Sequence, residues 1–257
     1  MRAWMRSGVL GLVMVTLLTA CAQPPRTAGT SAAQPQEPAR SSALKRMTAV
    51  IRDVPPSFAI RRTRPDGYRG LDGIEELAHG GFSYLKPDGT RAAQLAEAVP
   101  TLDNGLWKLL PDGRMETTWQ IKPTARWQDG TPFTTDDLVF TAAVEQDKDL
   151  EISFAAYSLV ESITPVDART ITVTWKRPYI EADWTFSYRG AGLPLPKHLL
   201  ERAYADDKAT FLGIPFWSNE FVGLGAFKVQ EWVQDSHVIL RAFDGYEIGR
   251  ASCRERV

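Results

Sequence analysis

The chain has 257 residues, with 30 Lys and Arg against 31 Asp and Glu and a formal net charge of -1 at pH 7. That balance, without any dense basic run, excludes the electrostatic footprint of a nucleic-acid binder. With 44% hydrophobic residues and 8 Trp, the chain can build a sizeable core and is not globally disordered. The two cysteines, Cys21 and Cys253, sit near opposite ends, so no structural disulfide is expected. His79, His198 and His237 are scattered and no Cys/His cluster has zinc spacing, so no metal or other cofactor is expected.

The first residues have the layout of an export signal. Arg2 and Arg6 form a positive start, and residues 8–18 are apolar and uncharged. That run is shorter than the ~20 residues a membrane-spanning helix needs, and it matches the core of a signal peptide. It ends in Leu18-Thr19-Ala20-Cys21, which resembles the lipobox of bacterial lipoproteins. The resemblance implies removal of residues 1–20 and lipid on Cys21. It also implies residence in the periplasm or cell envelope, anchored to a membrane. Residues 21–46 then read as the lipidated cysteine and a flexible Pro/Ala/Ser/Thr/Gln-rich linker, with a random-coil reach of roughly 25 Å.

The folded body is expected over residues 47–246. Residues 48–51 read as a first strand ended by Pro55-Pro56. Residues 71–80 read as a short helix stopped by Gly80-Gly81. Residues 82–85 read as a strand leading into the turn Pro87-Asp88-Gly89. Trp107 to Leu110 is apolar, and Pro111-Asp112-Gly113-Arg114 has turn chemistry. Met115, Thr117, Trp119 and Ile121 alternate with polar residues, the pattern of a strand with one buried face. Residues 125–127 read as a short strand before the turn Asp129-Gly130. Thr134 and Asp137 have capping-box spacing ahead of a helix in which Leu138, Val139 and Phe140 pair with Ala142, Ala143 and Val144. Adjacent Asp136 and Asp137 point in different directions on that helix, so capping explains them better than acid/base catalysis. Alternation over 171–175, a helix around 198–204, a Gly223-Leu224-Gly225 turn, and a hairpin of 226–232 with 238–243 complete a mixed α/β (α+β) pattern. No Gly-x-Ser-x-Gly, Walker or HExxH motif occurs, and no enzyme activity is expected.

The string WQIKPTARWQDGTPFTTDDLVFT at 119–141 resembles the signature of family 5 extracellular solute-binding proteins, the peptide, oligopeptide and nickel class of bacterial ABC importers. Leu95-Ala96-Glu97, the 195–200 segment LPKHLL, and 222–229 agree with further family segments in order. In the last, Leu224, Ala226 and Phe227 replace the family's Thr, Pro and Tyr. The resemblance implies a periplasmic-binding-protein type II fold, here the first lobe with its extra subdomain and without the opposing lobe. Residues 247–257, EIGRASCRERV, read as a non-native tail.

The resemblance also implies a monomeric, non-catalytic receptor. It would capture a peptide or other small solute and deliver it to ABC permease subunits powered by an ATPase subunit. The alternative is an envelope lipoprotein whose binding fold serves as a structural or signalling module. Ligand contacts are expected in loops after strands: Ser57, Phe58, Gly81, Phe82, Tyr188, Arg189, Trp217 and Asn219. Aromatic walls, backbone approach and a few charges are what peptide binding needs. For each aromatic, plain core packing is the competing reading. For Asp129, Gly130 and Thr134, turn and cap roles suffice.

Overall fold

The computed structural model describes residues 46–53, 55–63, 70–150, 152, 154–188 and 192–246. The body treated below runs from Ala49 onward. Cys21, Arg189, Cys253, the expected leader at 1–20, most of the expected linker at 21–46 and the 247–257 segment lie outside the described residues.

The expected strand at 48–51 does not form; these residues are exposed and irregular. No described strand lies beside them to accept a ladder, and their β-branched composition cannot supply one. Two helices follow, α1 (Ile60–Thr63) and α2 (Leu71–Ala78). In α2 the buried face is Leu71, Ile74, Glu75 and Ala78, the helical spacing with one carboxylate among apolar neighbours. β1 (Ser83–Leu85) pairs with β2 (Arg91–Ala93) as an antiparallel hairpin. The expected turn joins them: Lys86 N–H donates to Thr90 C=O at 2.8 Å, and Gly89 has φ 82°.

β3 (Trp107–Leu109), β4 (Met115–Gln120), α3 (Thr135–Glu145), β5 (Val160–Pro165) and β6 (Thr170–Trp175) build the next layer. The four strands form one antiparallel sheet in the order β3-β4-β6-β5. Along β4, Met115, Thr117 and Trp119 are buried while the intervening residues are half-buried, as the period-two pattern predicts. Met115 and Trp119 meet Trp175, Ile171 and Val173 of β6, Leu138 of α3, and Phe82 in one apolar core. Phe82 stacks on Trp119 with ring centroids 4.9 Å apart. The segment 125–127 contributes a single bridge, Arg126 to Pro132, rather than a strand. Its backbone closes the tight Asp129-Gly130 turn, with Gly130 at φ 95°. α3 begins with the expected capping box, Thr134 N–H donating to Asp137 Oδ2 at 3.0 Å.

The rest of the chain packs on the other side of α3. α4 (Lys197–Asp206), α5 (Lys208–Phe211), β7 (Phe227–Val233) and β8 (His237–Ala242) follow in order. β7 and β8 form a separate antiparallel hairpin. A second core gathers Phe58, Phe140, Leu200, Phe211, Trp217, Phe221 and Trp232. The 223–225 segment is not the expected tight turn. Its glycines lack positive φ, and a Cβ on either would collide with the backbone at the end of α2, on Ala78 C=O or Leu77 C=O. Glycine is required here for close backbone approach. Gln128 locks the same junction. Its amide donates to the carbonyls of Ala78, Gly225 and Phe227 at 2.7–3.1 Å, and its oxygen accepts from Gly223 N–H.

Candidate ligand-facing site

α1 is one turn long, and its two adjacent arginines hold together segments that are distant in sequence. Arg61 Nε donates to Glu75 Oε2 at 2.9 Å, and its guanidinium also pairs with Asp72, both on α2. The same group donates to the Tyr188 hydroxyl at 3.2 Å and lies 5.1 Å from that ring's centre. Arg62 is 3.0 Å from Glu145 Oε1 at the end of α3 and donates to Leu193 C=O. Its guanidinium also covers the Trp217 ring at 4.7 Å. A planar guanidinium can pair and stack at once, which lysine could not reproduce.

Three consecutive residues are pinned beside this cluster. Leu193 C=O accepts from Arg62, Pro194 C=O from His79 Nε2 at 2.8 Å, and Leu195 N–H donates to Thr141 Oγ1 at 2.8 Å. His79 Nδ1 accepts from Gly80 and Leu224 N–H, which assigns the proton to Nε2. Burial pushes the imidazole down to about 3 despite the Pro194 bond. It is a neutral structural connector with both nitrogens occupied, and no general base.

Burial also lowers the Arg61 guanidinium, but Glu75 and Asp72 outweigh it and hold the group above its ordinary value. Burial pushes Glu75 up, against Arg61 and Arg62. Glu145, fully enclosed, rises to about 7 for the same reason, partly offset by Arg62. The Tyr188 phenol is raised by burial and by Asp72, so it remains a neutral hydroxyl. The arrangement is suited to holding groups by hydrogen bonds and stacking. Among the described residues no group of three or more His, Cys, Asp or Glu is placed to hold a metal ion.

The sequence-derived candidates fall into three kinds. Ser57 and Tyr188 are half-buried and Asn219 is exposed. Phe58, Phe82 and Trp217 are inside, at 1%, 0% and 1% exposure. Arg189 lies outside the described residues. Phe58 and Trp217 are brought together: Phe58 N–H donates to Trp217 C=O at 2.8 Å. Trp217 Nε1 is spent on Phe211 C=O. Asn219 clamps the backbone of Trp232 through both its amide groups, at 3.2 and 2.7 Å. Gly81 and Phe82 form a separate group. A Cβ on Gly81 would meet Phe186 C=O and Ser187 Cα at 2.6 Å, and Phe82 N–H donates to Phe186 C=O at 3.0 Å. The close approach that Gly81 permits is therefore to the chain's own 186–187 segment.

Arg61, Arg62, Glu75 and Glu145 were not among the sequence candidates. A signal for Glu145 was present: it shares a buried helix face with Leu138, Thr141 and Ala142, where a charge needs a partner. The identity of that partner, Arg62, has no local signal.

Comparison with known proteins agrees with this architecture. AppA of Bacillus subtilis, an oligopeptide-binding protein, is 29% identical over 162 residues, 61% of this chain and 26% of AppA. The crystal structure of the Thermus thermophilus oligopeptide-binding protein with a pentapeptide superposes with a TM-score of 0.62 at 22% identity. That match covers 75% of this chain and 36% of the other. The structure of B. subtilis AppA with a nonapeptide gives a TM-score of 0.56 at 25% identity over 68% of this chain and 32% of AppA. In these three matches the chain spans about a quarter to a little over a third of the other protein, and the fold is that of the periplasmic-binding-protein type II class. Residues 97–254 match the middle part of the bacterial extracellular solute-binding proteins, family 5, and the chain belongs to that family of solute-binding transport proteins.

Proposed function

We propose that this chain is part of the receptor subunit of an ABC importer. It captures peptides or similarly sized solutes outside the cytoplasm and hands them to the membrane permease, which an ATPase subunit powers. The observation that carries this reading is the family match over residues 97–254, together with relatives named for oligopeptide binding. The role is non-catalytic: solute is held, the lobes of the receptor close, and the closed form docks.

Within this chain, Ser57, Tyr188 and Asn219, with Arg189, contact the solute, and the buried Gly81 acts through the 186–187 segment it packs against. Phe58 and Trp217 support that surface from inside. The Arg61 and Arg62 pairs keep Tyr188 and the 193–195 segment in place, so binding starts from an ordered wall and less entropy is lost. Cys21 carries the lipid that tethers the receptor, and residues 22–46 let it move over the membrane surface.

Thermal unfolding of the receptor with oligopeptides, nickel and sugars tests the reading. A ligand at 100 times its Kd adds about 2.7 kcal/mol, so the melting temperature rises with peptides. An unmoved melting temperature across all three libraries overturns it and favours a structural or signalling lipoprotein. For the anchor, Cys21→Ser moves the receptor from the membrane fraction to the soluble fraction and abolishes incorporation of labelled palmitate. Unchanged fractionation and labelling would remove Cys21 from that role.

A further inference from the structure

The far end of the four-stranded sheet carries a feature that the solute-facing surface does not use. A groove of about 530 Å³ opens beside β3, walled by Leu102, Trp107, Leu109, Tyr179 and Ile180, with Arg177 as its one charged side chain. That volume lies within the range of sites that take small ligands. Leu102, Leu109 and Ile180 are 63%, 58% and 87% exposed. Apolar surface gathered in this way marks a binding region more often than scattered exposed residues do. Arg177 is exposed and forms no ion pair among the described residues, as is also true of the exposed Arg46, Arg52, Arg126 and Arg241; among these, Arg177 alone lines the groove.

β3 is also an open edge of the sheet, since its only strand neighbour is β4. The register pairs Trp107 with Thr117, Lys108 with Glu116, and Leu109 with Met115. Thr118 N–H donates to Leu106 C=O, and Leu110 N–H to Arg114 C=O. Residues 106, 108 and 110 therefore bond inward to β4, and antiparallel alternation turns the backbone groups of Trp107 and Leu109 outward. Thr101 C=O takes the Trp107 N–H at 3.2 Å. The Leu109 N–H and the carbonyls of Trp107 and Leu109 face the open edge. These same two residues send their side chains into the groove. Hydrogen-bonding edge, apolar wall and unpaired cation thus converge on one strip.

We propose that this strip is a peptide site. It takes a short extended apolar peptide as an added strand on β3, with alternate side chains in the groove and the C-terminal carboxylate on Arg177. Main-chain bonds to an edge and pockets for alternate side chains are the general mode of strand addition. The open edge is only three residues long, so the added strand is short and its terminus falls within the groove. A carboxylate matches the fork of Arg177. The site shares no residue with the solute-facing surface proposed above and does not depend on it.

The test titrates the whole chain with N-acetyl-Leu-Ser-Phe as the free acid and as the amide, by calorimetry, with amide hydrogen exchange followed by NMR. The expected results are a Kd about fivefold lower for the acid, the scale of an exposed ion pair, and slowed exchange at the Leu109 amide with either peptide. Arg177→Gln should equalise the two affinities and leave that of the amide unchanged. Absence of binding at millimolar peptide overturns the proposal, as does equal affinity in the wild type or an acid preference that survives in Arg177→Gln. Protection confined to the Ser57 and Tyr188 surface assigns the peptide to the solute site and overturns it too. A dimer that protects Leu109 without peptide assigns the edge to a second copy, with the same consequence.

Discussion

Asp137 and Glu145 stand at opposite ends of α3, and both are buried, yet the two regions around them solve the problem of an enclosed carboxylate differently. Asp137 accepts from Thr134 N–H, Lys197 N–H and Trp127 Nε1 at 3.0–3.1 Å. It also sits at the helix N-terminus, where the backbone dipole favours negative charge. Burial raises its pKa, and those three donors pull against the rise. Glu145 sits at the C-terminal end, where the same dipole opposes it. Its only ion-pair partner among the described residues is Arg62, and neither of its oxygens has a well-formed hydrogen bond among them. Gly192, at φ 62°, closes over it so tightly that a Cβ would come within 2.8 Å of Oε1. One carboxylate is a satisfied connector between β-rich and helical segments. The other depends on one ion pair with Arg62.

The largest expected effect comes from breaking the weaker arrangement. Arg62→Met leaves Glu145 enclosed without a counter-charge, which costs about 3–5 kcal/mol. Denaturant titration at pH 8 should show that loss. At pH 5 the loss should shrink, because Glu145 can take a proton and become neutral in place. An equal loss at both pH values would mean that the ring contact with Trp217, rather than the charge pair, is what Arg62 contributes. Asp137→Asn is the matched change at the other end. It keeps the shape but turns an amide NH₂ toward N–H donors, and costs about 1–3 kcal/mol. Since the lost term is hydrogen bonding rather than an unpaired charge, its effect should vary little between pH 6 and pH 8. A strong pH dependence there would collapse the distinction between the two ends.

The end built on local chemistry is also the one legible in the sequence. The capping box at Thr134 and Asp137, the Asp129-Gly130 turn and the alternation in β4 are set by residues within a few positions of one another, and each formed where expected. What lay between distant segments was not legible. β2 and β5 have partners but weak patterns of their own, while residues 48–51 have a strand composition but no partner. Tyr188 was a candidate for its aromatic loop, yet the residue that fixes it, Arg61, is 127 positions away. Gly223 and Gly225 looked like turn residues because sequence cannot separate positive φ from the approach of another backbone. The aromatic candidates Phe58, Phe82 and Trp217 show the same limit: core and ligand wall draw on the same residue types, and only the fold says which neighbours cover them.

The last expected effect is the most specific to Glu145. Its pKa is raised from 4.5 to about 7 in the folded chain, so the folded state binds this proton more tightly than the unfolded state does. The resulting stability is fully present below about pH 4.5 and is lost as pH climbs through about 7, with a slope of at most about 1.4 kcal/mol per pH unit. Glu145→Gln removes the titration but keeps an oxygen for Arg62, so the variant's stability near pH 5 should differ little from wild type. Between pH 5 and pH 7 the wild type should lose stability relative to the variant, and above pH 7 the difference should level off. Urea midpoints across that range measure it, with the Asp137→Asn variant as the reference for carboxylates titrating elsewhere. If Glu145→Gln follows the wild-type profile in parallel, Glu145 is ionised throughout, and the pair with Arg62 is as well supported as the three-donor site at the other end of the helix.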